Sequence, residues 1–124
     1  MKKKKRVLVI GLDPNLVDFS HIPDLNAEQV MAALEADQAE LNALGYDAQL
    51  CLTDLGKTAE SVVVQKLLES TFDCILIGAG LRTIPTHFLL FEKLINVVHL
   101  NAPKAKICFN TKPSDTAEAV RRWV

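Results

Sequence analysis

The chain is poor in the residues that usually advertise a chemistry. Its three cysteines, Cys51, Cys74 and Cys108, are odd in number and show no CxxC spacing, which argues against a disulfide framework or a structural zinc site. Its three histidines, His21, His87 and His99, stand apart from any cysteine or carboxylate at ligand spacing, so no metal centre is expected. No uncharged apolar run approaches the roughly 20 residues that a membrane helix needs. Positive charge is not in excess: 14 Lys and Arg stand against 15 Asp and Glu, a formal charge of −1. A nucleic-acid or anionic-membrane surface carries a marked basic excess, so neither partner is expected. No serine occupies a nucleophile elbow. There is no internal repeat, low-complexity linker or break in composition, so residues 1–124 read as one α/β domain.

What the chain does have is apolar content. Hydrophobic residues make up 49% of its 124 positions, enough to bury a core without disulfides or metal. They gather in short continuous runs, as expected of parallel strands covered on both faces. The runs predict four strands, Arg6 to Ile10, Ala48 to Leu52, Cys74 to Ile77 and Lys106 to Phe109. The cysteines fall inside three of them and are expected as buried, reduced core groups. The basic start, Lys2 to Lys5 and Arg6, precedes only four apolar residues. That is too short for a secretory signal core, so it reads as a solvated leader and the location as cytoplasmic.

Helical patterns alternate with these strands. Asn26 caps the first helix with Gln29 as capping-box partner, and Leu25 and Val30 have staple spacing. Val30, Leu34, Leu41 and Leu44 recur on one side, and Gly45 ends the helix. The second helix runs from about Thr58 to Ser70. The third, about Thr86 to Leu100, opens after Pro85 and stops before Pro103. The last, from about Asp115, is capped by Ser114 or Asp115 and presents Ala117, Val120 and Trp123 to the core. Such alternation predicts a parallel sheet in a three-layer α/β/α sandwich, Rossmann-like or flavodoxin-like, with strand order 2-1-3-4. The connection from Asp13 to Leu25 is long for its type and carries Leu16, Val17, Phe19 and Ile22. Both a lid and a structural plug fit it.

In open parallel sheets, ligands bind outside the carboxyl ends of the strands, at the switch point between strands one and three for this order. The turns there are GLDPN, TDLGK, GAGLR and NTKPS. Asp13, Asn15, Gly78, Gly80, Arg82, Asn110, Thr111, Lys112 and Ser114 are therefore the candidate ligand-binding residues. Arg82, Lys112 and Ser114 would suit a small anion if they converged; otherwise Arg82 and Lys112 are solvated or pair with Asp13 and Asp54. Gly78-Ala79-Gly80 follows the wrong strand for a dinucleotide fingerprint and lacks its third glycine, so no cofactor is expected. His87, near this rim, reads either as a base or as a structural helix-start residue. No catalytic residue is assigned, and whether the chain is an enzyme stays open.

Four stretches carry a resemblance. KKRVLVIGLDP is similar to the first strand of a response-regulator receiver domain, and FDCILIGAG to its third. The helix that follows and APKAKICFNT resemble the next helix and strand of that family. The resemblance implies a flavodoxin-like fold and protein–protein signalling. It also implies an acceptor aspartate, which falls on Gly78, and an acidic magnesium pair, which falls on Gly11 and Leu12. Thr111 matches the family's hydroxyl position, and Lys112-Pro113 echoes its Lys-Pro pair one strand early. Receivers carry a fifth strand and helix, where this chain has four of each. Without hard oxygen ligands and an acceptor carboxylate, no aspartyl phosphate forms, so the resemblance is to a pseudo-receiver.

The third helix is apolar beyond what a core-facing stripe requires, with Leu89 and Leu100 on its otherwise polar side. These two are the candidate interface residues. The leading expectation is a non-catalytic module that works through protein contacts, a homodimer among them. The alternative is a small-molecule or anion-binding protein that uses the rim.

Overall fold

Six of the seven residues of β1, Arg6–Leu12, are buried, because this strand has a neighbour on each side and helices on both faces. The structure is a computed structural model and describes residues 4–20 and 22–124. Lys2, Lys3 and His21 lie outside the described residues. The other strands are β2, Asp47–Thr53, β3, Cys74–Ile77, and β4, Lys106–Phe109. All pair in parallel, in the order β2-β1-β3-β4. The expected topology is the one observed.

The first two strands run longer than their apolar cores suggested. Their ladder continues past Ile10, with Gly11 opposite Leu52 and Leu12 opposite Thr53. The Asp13 amide then donates to the Thr53 carbonyl at 2.8 Å, and the buried Thr53 hydroxyl donates to the Gly11 carbonyl at 3.3 Å. Polar residues can extend a strand when the ladder satisfies them, which an apolar pattern does not register.

Among the described residues the connections form α-helices α1, Ala27–Ala43, α2, Ala59–Glu69, α3, Ala79–Arg82, α4, Phe88–Asn101, and α5, Thr116–Arg121. Alternation along β1 divides the core. Leu8, Ile10 and Leu12 pack with Val63 of α2 and Leu94 of α4, whereas Val7 and Val9 pack with Leu41 of α1 and Val120 of α5. This is the three-layer α/β/α arrangement. None of the helices among the described residues is long and apolar enough to cross a membrane.

The capping box forms as expected: the Asn26 side chain accepts from the Gln29 amide at 2.9 Å, and the Gln29 side chain accepts from the Asn26 amide at 2.9 Å. Three expectations need correction. Leu44 is exposed because α1 ends at Ala43 and Leu44 occupies the C-cap, off the helical face, before Gly45 turns left-handed at φ 98°. Trp123 is 53% exposed, since α5 ends at Arg121 and the tryptophan lies beyond the cap; Ala117 and Val120 do face the core. The third predicted helix begins later, at Phe88, after a 3-10 turn at Pro85–His87. The turn that precedes it holds the short α3, which the GAGLR sequence did not suggest.

The long first connection starts with a 3-10 turn, Pro14–Leu16, in which Pro14 is buried. Val17 packs onto the core beneath α2 and α4, whereas Leu16, Ile22 and Leu25 are exposed. The segment is therefore anchored at its start and open further along.

The cysteines are free and buried. Burial pushes the Cys51 thiol up, with Lys66 opposing, and contact with Cys74 and burial both push the Cys108 thiol up. The Cys74 and Cys108 sulfurs lie 3.4 Å apart. In register, however, Cys74 faces Lys106 and Cys108 faces Leu76. From strand spacings this two-residue offset separates the Cα atoms by about 8 Å, beyond the reach of an unstrained disulfide.

Candidate functional site

The carboxyl-end rim is built where β1, β3 and β4 run out. Gly78 closes β3, and its amide donates to the Ile10 carbonyl at 2.8 Å. A Cβ on Gly78 would lie 3.3 Å from that same oxygen, so the close approach of the two strand ends favours glycine. The chain then enters α3. The Ala79 amide donates to the Asn110 side-chain oxygen at 2.9 Å, tying this turn to the end of β4.

Asn110 is the centre of the rim and is itself buried. Its side-chain nitrogen donates to the Thr116 hydroxyl at 2.9 Å, and that hydroxyl donates to the Asp37 carboxylate at 2.6 Å. One continuous polar chain thus links α3, the end of β4, α5 and α1. Asp37 is 6% exposed. Burial raises its pKa above the ordinary 3.8, the Thr116 hydroxyl opposes this, and the neighbouring carboxylates of Glu40 and Asp115 add to it.

Arg82 folds back across the same edge. Its Nη2 donates to the Asn110 carbonyl, and the guanidinium carbon sits 5.7 Å from the centre of the Phe109 ring, within cation–π range. Its Nε is buried with no hydrogen-bond partner among the described residues. Phe109 also meets Phe91 of α4 edge to face at 5.9 Å. The arginine therefore serves as a brace between α3 and β4.

The remaining candidates are placed as follows. The Asp13 carboxylate accepts from the Asn15 amide at 3.0 Å, forming its own turn, and Asn15 lines a shallow depression with Glu28, Met31 and Glu35 of α1. The backbone amide and hydroxyl of Thr111 both donate to Asp115, as does the Lys112 amide at 3.3 Å. Burial raises the Asp115 pKa, but these hydrogen bonds outweigh it and hold the carboxyl below its ordinary value. Ser114 is exposed and lines a separate depression with Glu40, Leu44 and Arg121. Gly80 has open space around its Cα, and its carbonyl lies 3.0 Å from His87 Nδ1. The structure thus gathers Gly78, Arg82 and Asn110 into one bonded edge, while Asn15 and Ser114 line different depressions. Gly11 and Leu12 are buried in β1. Among the described residues no three His, Cys, Asp or Glu side chains are placed to hold a metal.

Sequence reasoning missed Asp37 and Thr116. A signal was present for the first: Asp37 falls three residues after Leu34 and four before Leu41, on the inward side of α1.

A second candidate surface is the outward side of α4. Phe88, Leu89 and Leu100 are 58%, 74% and 79% exposed. Leu89, Glu92, Lys93, Asn96, Val97 and Leu100 line a shallow groove along the helix. Lys93 is drawn toward α2 by Glu60 at 3.7 Å, and the Asn96 side chain donates to the Glu92 carbonyl at 2.9 Å. Lys93 and Asn96 are thereby held to groups of their own chain, and Glu92 is exposed beside them.

Comparison of the sequence with protein-family models and with curated proteins gives no match.

Proposed function

We propose that the protein is a non-catalytic, receiver-like α/β module, cytoplasmic, that acts through protein–protein contacts including self-association. The observation that carries this reading is the outward side of α4, where three large apolar side chains stand exposed on one helix. Large apolar side chains exposed along one helix of a small domain favour an interaction site, and removal of such side chains from water stabilises a contact by about 1.5–3 kcal/mol each when complete. The rim supports the non-catalytic half. Its arginine is held by the Asn110 carbonyl and Phe109, and the Thr111 and Lys112 amides are engaged by Asp115. Three free, buried thiols suit a reducing compartment.

Light scattering tests the contact reading: the protein should run as a dimer at high micromolar concentration, and Leu89→Asp should split it with the far-UV signal unchanged. A monomer at that concentration overturns self-association. Incubation with magnesium and acetyl phosphate should leave the intact mass unaltered. A hydroxylamine-labile adduct of about 80 Da, the mass of a phosphoryl group, would show an acceptor carboxylate and refute the pseudo-receiver reading.

A further inference from the structure

We infer that α4 pairs with α4 of a second copy, antiparallel across a two-fold axis, with Leu89 packed on the partner's Leu100 and Glu92 beside the partner's His99. The inference rests on the contact-module reading above and specifies both its partner and its geometry. Leu89, Lys93, Asn96 and Leu100 are spaced four, three and four residues apart. That is the spacing of a coiled-coil seam, and it is the same read in either direction about a point between Leu94 and Ile95. A stripe with that property presents a matching pattern to an antiparallel copy, as a two-fold interface requires.

Charge selects the antiparallel direction. Glu92 and His99 are both exposed and, at about 100° per residue, flank the stripe on one side, seven residues apart. In an antiparallel pair that flank meets itself with its ends exchanged, so each Glu92 meets the partner's His99, twice by symmetry. A parallel pair would instead set that flank against the other side of the partner's stripe, where Leu90 and Val97 are buried. Lys93 is already drawn aside by Glu60, which leaves the two leucines to supply the apolar contact at either end. The seam from Leu89 to Leu100 is only about 16 Å long at 1.5 Å per residue. Such a patch falls short of the roughly 800 Å² per partner of a standard interface, so the dimer belongs in the micromolar range and exchanges subunits readily.

The test uses full-length Leu89→Cys and Leu100→Cys variants, oxidised under equilibrium redox conditions alone and mixed. The native cysteines are buried and do not compete. Mixing the two variants should give a cross-linked dimer in several-fold greater yield than either variant alone. His99→Glu should weaken association roughly tenfold by setting carboxylate against carboxylate, and adding Glu92→Lys to it should restore the loss. Efficient linkage of Leu89→Cys to itself would mean a parallel pair. That outcome, or a dimer that neither cysteine links and the charge exchange does not rescue, overturns the pairing and leaves the contact-module reading standing. A wild-type monomer overturns both.

Discussion

Replacing Asn110 with alanine should lower the unfolding free energy by about 2–4 kcal/mol, the range for a lost pair of buried hydrogen bonds together with the unpaired groups left behind. The side chain accepts from the Ala79 amide and donates to the Thr116 hydroxyl, both at 2.9 Å. Truncation leaves that amide without its acceptor and Thr116 without its donor, in a place where the asparagine itself is buried. In a domain of this size the melting temperature should fall by roughly 10 °C. The Arg82 brace does not confuse the measurement, because it reaches the backbone carbonyl of residue 110 rather than the side chain. Asn110→Asp is the sharper control. It keeps an acceptor for Ala79, removes the donor to Thr116, and sets a second carboxylate across that hydroxyl from Asp37. Its penalty should exceed that of alanine at neutral pH and shrink in acid. A loss below 1 kcal/mol for Asn110→Ala in urea titration would mean that the edge is held by Arg82 and the sheet, and that the polar chain is incidental.

The strands were legible because their signal is local and redundant, and their alternation with helices pointed to the parallel sheet. A short β-branched run such as Val7 to Ile10, bounded by a basic stretch and a polar turn, reads as a strand covered on both faces, and Cys74 to Ile77 repeats the pattern. The caps of α1 were legible for the same reason: Asn26 and Gln29 satisfy each other within one turn. Elements that depend on distant neighbours were not. Asp37 is polar in isolation and belongs inside only because Thr116, 79 residues later, donates to it. Trp123 has a core residue's composition, but α5 stops two residues too early to carry it inward. At the rim, GAGLR and NTKPS were correctly marked as the ends of β3 and β4. The partners of Arg82 and Thr111 could not be read there, since a loop charge is equally free to face a ligand, an acid or a carbonyl. The structure gives those partners as the Asn110 carbonyl and Asp115.

Above the range in which ordinary carboxylates titrate, stability should fall as pH rises through the folded-state pKa of Asp37, against the usual trend, and Asp37→Asn should abolish that fall. Burial raises the Asp37 pKa above 3.8, its ordinary value, with Glu40 and Asp115 contributing in the same direction. A carboxyl with a raised folded-state pKa binds its proton more tightly when folded, so it favours folding below the unfolded pKa and loses that contribution as pH climbs through the folded one. The other perturbed acids act at lower pH. Asp54, held by the Gly56 amide and by Thr58, and Asp115, held by Thr111 and Lys112, are both shifted below 3.8. Their contribution has the opposite sign: it is fully present only above the unfolded value near 3.8 and is lost as pH falls through the folded values. Asparagine at position 37 keeps an oxygen for the Thr116 hydroxyl and carries no charge to bury. The variant should therefore match or exceed the parent at pH 7, with a flat profile where the parent slopes. Asp37→Leu separates the two roles: it also removes the charge, but it leaves the Thr116 hydroxyl without an acceptor, at a cost of about 1–3 kcal/mol. Urea midpoints at several pH values decide the matter. A parent profile without that fall, or an Asp37→Asn variant that keeps the parent's slope, would show that the buried carboxylate is not the group that sets it.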